Sequence, residues 1–358
     1  MKNSRREFIK KSAYAAAMSA IGLPAAGANL SKSSDTAADR DPESEWMELS
    51  VAHWRPEAKR MNLTRQMGVM GGVSGSGGDP AGRKKEFEDA GLKWTVLEGV
   101  NLTRAQLGVE GKDQVIEDFV NLIEECSEVG QEVICYNWMP AVSWSRSDNA
   151  RVDRGGSLVT AFDIEDADEA LTEYGDNFTH EDLWKNMEYF LHAVVPEAEK
   201  HGVKLALHPD DPPIDRLRGI PRIMTSVEAF KKMTEIYPSV YNGLCYCQGS
   251  FASQKNTNIP ESIRYFGERD LIHFVHFRDV RGDTTNFTEA WHDDGKTDMY
   301  AAMQTYYDVD FRGPIRPDHV PTISGYEENT SPGYNDLGTL FAIGYIKGLM
   351  EAVAKSSA

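Results

Sequence analysis

The sequence predicts an α/β fold, a single-domain (β/α)8 TIM barrel with long loops at its C-terminal face. Three observations carry this expectation. Eight short apolar runs follow Trp46, at 48–52, 66–73, 94–98, 132–136, 204–208, 242–247, 272–276 and 314–318. Helical patterns separate most of them, and strands alternating with helices build a parallel sheet covered by helices. The last four runs each end on a metal-ligand type of side chain, as strands converging on one barrel mouth would. No Gly-x-Gly-x-x-Gly follows the first run, which disfavours an open dinucleotide-binding sheet. The 358 residues accommodate one barrel with insertions.

The helical segments carry their own punctuation. Residues 84–90 stop at Gly91, a C-cap residue. Residues 112–129 place Val115, Phe119, Leu122 and Ile123 at helical spacing and stop at Gly130. Residues 181–200 do the same with Leu183, Met187, Phe190, Leu191 and Val194, closing on His201-Gly202. Ser226 caps 226–237, Pro260 opens 260–266, and 337–354 form the last helix. Two stretches exceed a minimal barrel, 137–179 and 279–298. Both follow strand C-termini, where barrel enzymes place their chemistry. The glycine-rich stretch 70–78 lacks the Lys-Ser/Thr of a P-loop and reads as a flexible loop.

Composition excludes some partners. The formal charge of -18 argues against nucleic acid and anionic membrane, which both require basic patches. Four cysteines are too few for a disulfide scaffold, and Cys126 and Cys135 read as free core thiols. At the start, Ser4-Arg5-Arg6-Glu7-Phe8-Ile9-Lys10 is a twin-arginine signal pattern. A small apolar segment from Ala13 to Leu23 and the cleavage-type sequence Ala26-Gly27-Ala28 follow. Residues 1–28 are thus expected to be a signal peptide, 29–45 a polar disordered linker, and 46–358 the catalytic barrel. The expected location is periplasmic or exported.

The candidate chemistry lies at the ends of the fifth to eighth strands. His208, Cys247, His276 and Asp318 each close an apolar run. Two imidazoles, a thiolate and a carboxylate suit a divalent transition metal. Period-2 geometry selects His276 over His273, and Cys247 over Cys245, as nearer the mouth. Asp210 and Asp211 sit in a proline-stiffened loop after His208 and read as shaping the loop, orienting the groups around the ligands or meeting substrate hydroxyls. His319 and Tyr334 are candidate proton carriers, although Tyr334 by composition is a turn residue. His292-Asp293-Asp294 reads as a solvated acidic loop.

In these stretches the chain resembles the mannonate dehydratase family, metal-dependent enzymes with a xylose-isomerase-like barrel. The resemblance runs through Glu88-Asp-Ala-Gly-Leu-Lys-Trp94, Val133-Ile-Cys-Tyr-Asn137-Trp-Met-Pro140 with Trp144-Ser-Arg146, and His208-Pro-Asp-Asp-Pro-Pro213. It continues in Cys247-Gln-Gly-Ser250, Ile272-His-Phe-Val-His276-Phe-Arg278, Phe287-Thr-Glu-Ala-Trp-His292, Ile315-Arg-Pro-Asp318-His319 and Pro332-Gly-Tyr334. It implies Mn²⁺ (or Fe²⁺) on His208, Cys247, His276 and Asp318, with His319 and Tyr334 carrying protons. The departures fall at the rim. The stretch 71–78 lacks the family's early His and Trp, Asn101 stands where a histidine is usual, Gln248 replaces Thr, and Val320-Pro321 follow His319.

The implied reaction removes water from D-mannonate or a close aldonic acid to give a 2-keto-3-deoxy acid. Arg146 and Arg278 are the expected carboxylate clamps, since guanidinium forks match carboxylates. Asn137 and Trp144 are expected to line the sugar pocket. The expected partner is a small sugar acid, with self-association left open. A xylose-isomerase-like isomerase or epimerase is the alternative enzyme, and an exported sugar-acid binding protein the alternative without catalysis.

Overall fold

The computed structural model describes residues 46–327 and 331–357. The signal-peptide and linker readings, at 1–28 and 29–45, lie outside the described residues. Eight parallel strands close a barrel: β1 (Glu48–His53), β2 (Gly71–Gly75), β3 (Lys93–Glu98), β4 (Val133–Asn137), β7 (Lys204–His208), β10 (Asn242–Cys247), β11 (Ile272–Phe277) and β14 (Pro314–Pro317). Their order around the ring is β1-β14-β11-β10-β7-β4-β3-β2. The remaining strands are β5 (Asp148–Val152), β6 (Leu158–Asp163), the short β8 (Arg216–Leu217) and β9 (Ile220–Pro221), β12 (Val280–Asp283) and β13 (Asn286–Glu289). The barrel interior holds Val73, Val96, Val133, Cys135, Ala206, Cys245 and Phe274. Small and β-branched side chains and the Phe274 ring fill the lumen, so it is a packed core and not a pore.

The second strand differs from its expected position. Its run was placed at 66–73, but Gln66 ends the helix Ala58–Gln66 and the strand is Gly71–Gly75. The glycine-rich stretch read as a flexible loop therefore supplies a barrel strand. Packing explains the glycines. A Cβ on Gly72 would fall on the Phe87 ring, and one on Gly71 on the Ser50 hydroxyl. Phe87, on Pro80–Asp89, is fully buried, so the helix leans directly on the strand backbone.

The predicted helices are present with small shifts. His180–His201 starts in a capping box between Thr179 and Asp182 and stops at Gly202, whose φ is 70°. Ser226 caps Val227–Ile236 by accepting from the Ala229 amide. Helices Ala58–Gln66, Thr103–Leu107, Gln248–Ser253 and Met299–Asp308 were not anticipated. The last helix, Asp336–Ser357, is apolar and long enough to cross a membrane by composition. Its face Ala342, Ile343, Ile346, Met350 and Val353 is buried, and Trp46 Nε1 donates to the Met350 carbonyl.

The two long loops are not independent. Segments from 137–179 and 279–298 pair into one antiparallel sheet, in the order β12-β13-β6-β5. Phe287 lies opposite Phe162, and Asn286 opposite Asp163. The sheet lies beyond strand C-termini and carries Glu289, at the end of β13, toward the barrel mouth.

Near the start of the barrel, His53 is fully buried beside Phe87, and its Nε2 lies 3.2 Å from the Thr64 hydroxyl. Burial and the Arg60 charge push its pKa down to about 3. The native imidazole thus stays neutral below pH 6.5, where the unfolded one takes up a proton. Stability that is complete above pH 6.5 should fall toward pH 3, with His53 contributing about 1.4 kcal/mol per pH unit. Urea midpoints measured from pH 7 to pH 4 should show a shallower slope in His53→Gln than in the parent chain.

Candidate active site

Strand register brings the predicted ligands to one height. Asn137 on β4 pairs with His208 on β7, Cys247 on β10 with His276 on β11, and His276 with Arg316 on β14. One ligand atom each from His208, Cys247 and His276 lies within 4.8 Å of the others. Asp318 joins them from just past β14, its Oδ2 3.9 Å from Cys247 Sγ and 3.6 Å from His276 Nδ1. Among the described residues this brings all four predicted ligands together.

The donor atoms are prepared in different ways. His208 Nδ1 is 2.6 Å from the Pro209 carbonyl, which places its proton there and leaves Nε2 with a lone pair. Burial lowers the His208 pKa, so the ring is neutral. The Ser250 hydroxyl donates to Cys247 Sγ at 3.2 Å. His276 is 1% exposed; its Nε2 faces Glu98 Oε1 at 3.4 Å and its Nδ1 faces Asp318 Oδ2 at 3.6 Å, neither in hydrogen-bond geometry. Buried polar groups normally pair closely, so these loose contacts leave the ring able to take a closer ligand. Burial would raise the Asp318 pKa, but His319, Arg316, His276 and Arg278 together hold it well below the usual carboxylate range.

Behind the ligands lies a network of buried charges. Arg278 donates from Nε to Asp318 Oδ2 at 2.9 Å, from one terminal nitrogen to both Glu289 oxygens at 2.9 Å, and from the other to Asp211 at 2.7 Å. Arg146 bonds Asp211 through two nitrogens and Glu289 through one. Both guanidinium groups are essentially inaccessible. The two expected substrate clamps are thus already engaged within the chain. Their forks are saturated by the chain's own carboxylates, and neither arginine lines the cavity. Their charges instead hold Asp211, Glu289 and Asp318 ionised and in place.

The arginine that does reach the cavity is Arg316, which donates to Asp318 Oδ1 at 2.7 Å and to both oxygens of Glu98 at 3.1 and 3.2 Å. Burial works against the Glu98 charge, but Arg316 and His276 outweigh it and bring the pKa down to about 2. Glu98, Glu289 and Arg316 were missed in the sequence. Glu98 ends the third strand, so the strand-end rule could have found it. Arg316 shares a face with Asp318 by period 2.

His319 and Tyr334 flank the ligands. His319 Nδ1 lies 2.9 Å from Glu289 Oε1, which leaves Nε2 toward Asp318 Oδ1 at 3.8 Å. Its ring packs 5.0 Å from Trp144 and 5.7 Å from Tyr334. The Tyr334 hydroxyl is 3.4 Å from Asp318 Oδ1, and burial followed by the Asp318 charge raises its pKa well above the ordinary phenol value. Tyr334 is no surface turn residue. Asn137, Trp144, His208, His276, Asp318, His319 and Tyr334 all line one cavity of about 140 Å³. Asp210 holds the following loop by accepting from the Met224 amide at 2.8 Å, while Asp211 anchors the two arginines. His292 is fully buried, not solvated, while Asp293 and Asp294 pair with Arg154 and Arg281.

Known proteins share this arrangement of chain. The family model described as D-mannonate dehydratase (UxuA) matches residues 78–174 and 164–358. A mannonate dehydratase of Streptococcus agalactiae serotype V is 34% identical over 301 residues, covering 76% of this chain and 86% of that protein. One of Thermotoga petrophila is 36% identical over 308 residues, covering 76% and 84%. The crystal structure of mannonate dehydratase from Streptococcus suis serotype 2 superposes with a TM-score of 0.81 at 32% identity, over 87% of this chain and 94% of that one. A xylose isomerase domain protein of Planctomyces limnophilus, 13% identical with a TM-score of 0.55, shares the barrel fold. The ordered match over most of the chain places it in the D-mannonate dehydratase family.

Proposed function

We propose that this chain is a metal-dependent hydro-lyase that converts D-mannonate or a close aldonic acid to a 2-keto-3-deoxy acid. The observation that carries the reading is the clustering of Cys247 with His208, His276 and Asp318, the last three of which line one cavity together with His319 and Tyr334. The donor set fits Mn²⁺ or Fe²⁺. Two imidazoles, one cysteine sulfur and one carboxylate suit a first-row divalent ion, and the His276 nitrogens, which make no hydrogen bond, support a ligand there. When bound, the ion supplies Lewis-acid stabilisation of the charge that develops next to the substrate carboxylate.

The chain's own residues supply the proton traffic. The C2 proton, α to the carboxylate, must leave, and the C3 hydroxyl must be protonated to depart as water. His319 and Tyr334 face the cavity and share these two roles, each worth roughly 10²–10⁴-fold. Glu289 fixes the His319 ring and its tautomer, so that Nε2 is the atom that exchanges the proton. Asn137 and Trp144 line the same cavity and meet the sugar chain. The enol that forms then ketonises. We also propose that the chain is exported by the twin-arginine route, on the support of Arg5-Arg6 and the short apolar segment after them.

The test is incubation of the protein with D-mannonate and related aldonic acids plus Mn²⁺, scored colorimetrically for 2-keto-3-deoxy acid. Chelator treatment should abolish product formation and Mn²⁺ should restore it. An isomerase or epimerase would consume its substrate without this product, and a binding protein would leave the acid intact. Full turnover after exhaustive chelation would sink the metal assignment.

A further inference from the structure

The cavity beside the proposed ligands adjoins a second one. Gly99, Asn137, Met139 and Ser143 line both the first cavity of about 140 Å³ and a second of about 280 Å³. These four residues stand where the two adjoin. A Cβ at Gly99 would meet no atom within 4 Å, so there is open space at that point. The ring order sets where the second cavity lies. The second cavity is walled by the segments following β3 and β4, which stand across the barrel from β11 and β14. The second cavity thus lies on the side of the mouth away from His276 and Asp318.

The two cavities differ in chemistry. Glu98, Asp211, Arg316 and Asp318 charge the wall of the first, whereas no charged residue lines the second. The second presents neutral donors and acceptors. Gln106 is 2% exposed, and its Nε2 is fixed by the Asn137 carbonyl at 2.7 Å. That leaves its Oε1 as an acceptor with no partner among the described residues. The Thr103 hydroxyl accepts from the Ala141 amide at 3.3 Å and keeps its proton to donate. Asn101 uses Oδ1 to hold the Thr103 amide at 3.1 Å and has its amide nitrogen free. Uncharged amides and hydroxyls around an open space match the alternating donors and acceptors of sugar hydroxyls.

We infer that this second cavity is a subsite for a neutral glycosyl unit carried on the far end of the aldonic acid. The inference rests on the dehydratase reading and names its substrate class more closely. The first cavity takes the reacting acid, and the second takes a sugar joined to a hydroxyl remote from the carboxylate. The reaction is unchanged: water leaves C2 and C3, and the glycosidic bond stays intact.

The test compares D-mannonate with D-mannonate bearing a glucosyl group at O6, using the full chain and Mn²⁺. The glucosylated acid should have a kcat/KM at least about tenfold higher. Asn101→Trp, which fills the second cavity alone, should remove that advantage and leave D-mannonate turnover within about twofold. Ala141→Trp, also on that wall, should behave alike and covers the case in which the first variant fails to fold. Turnover of D-mannonate with no turnover of the glucosylated acid, or equal values for both, would overturn the subsite. If neither acid yields product, the dehydratase reading fails on its own, and calorimetry then decides the subsite. Tighter binding of the glucosylated acid that Asn101→Trp abolishes supports it, and equal or absent binding of the two acids overturns it.

Discussion

Asp318→Asn should leave a folded barrel that neither retains metal nor dehydrates its substrate. The carboxylate is the meeting point of the site. It lies against Cys247 and His276 on one side, accepts from Arg278 and Arg316 on the other, and lies within reach of the Tyr334 hydroxyl. Asparagine keeps the shape but removes the charge and turns one acceptor into a donor, which then confronts two guanidinium groups. Activity should fall by about 10²–10³-fold or more, as for other groups that stabilise developing charge. Leaving buried arginine charge uncompensated should also cost about 3–5 kcal/mol. Elemental mass spectrometry of the purified protein, beside the keto-deoxy assay and a urea titration, reads all three effects. Parent-like metal content with full turnover would remove Asp318 from the site.

Arg278→Met should be the most destabilising single change behind the cavity. The side chain is 1% exposed and binds three carboxylates, from Asp211, Glu289 and Asp318. Arg146 still serves Asp211 and Glu289, and Arg316 still serves Asp318, so partial compensation remains. Even so, an anionic cluster stripped of its central cation should lose about 3–5 kcal/mol. The urea midpoint should drop without a change in slope. Arg278→Lys should recover little of this, because one ammonium cannot span three carboxylates as the planar fork does. A parent-like midpoint in Arg278→Met would show that the network is not what holds these acids together.

The sequence made the ligand strands legible for a simple reason. Each apolar run stops abruptly on a ligand-type residue, and parallel register then lines those ends up without further information. Other parts of the site depend on pairing between remote segments. Glu98 meets Arg316 across 218 positions. Glu289 reaches the mouth only because β13 pairs with β6, and neither strand was visible in two stretches read as loops. Arg146 and Arg278 looked available for substrate because local sequence does not reveal which carboxylates fold onto them. Tyr334 illustrates the limit of composition, since a Ser-Pro-Gly-Tyr turn reads as surface until its hydroxyl is found beside Asp318. The second strand was misplaced because glycine has poor strand preference, and its use there is explained by the close approach of the Phe87 ring to Gly72 and of Ser50 to Gly71.

The shared sheet over the mouth has a consequence for exchanging parts between relatives. Its strands come from two insertions separated by three barrel strands, β7, β10 and β11, and β13 finds its partner in β6 at Asp163–Asn286 through Ala161–Thr288. Grafting one insertion alone would leave β6 or β13 as an unpaired edge, open to pairing with another molecule. It would also set Glu289 adrift from His319. The two insertions are therefore one transplantable module, and chimaeras should be built with both junctions or neither.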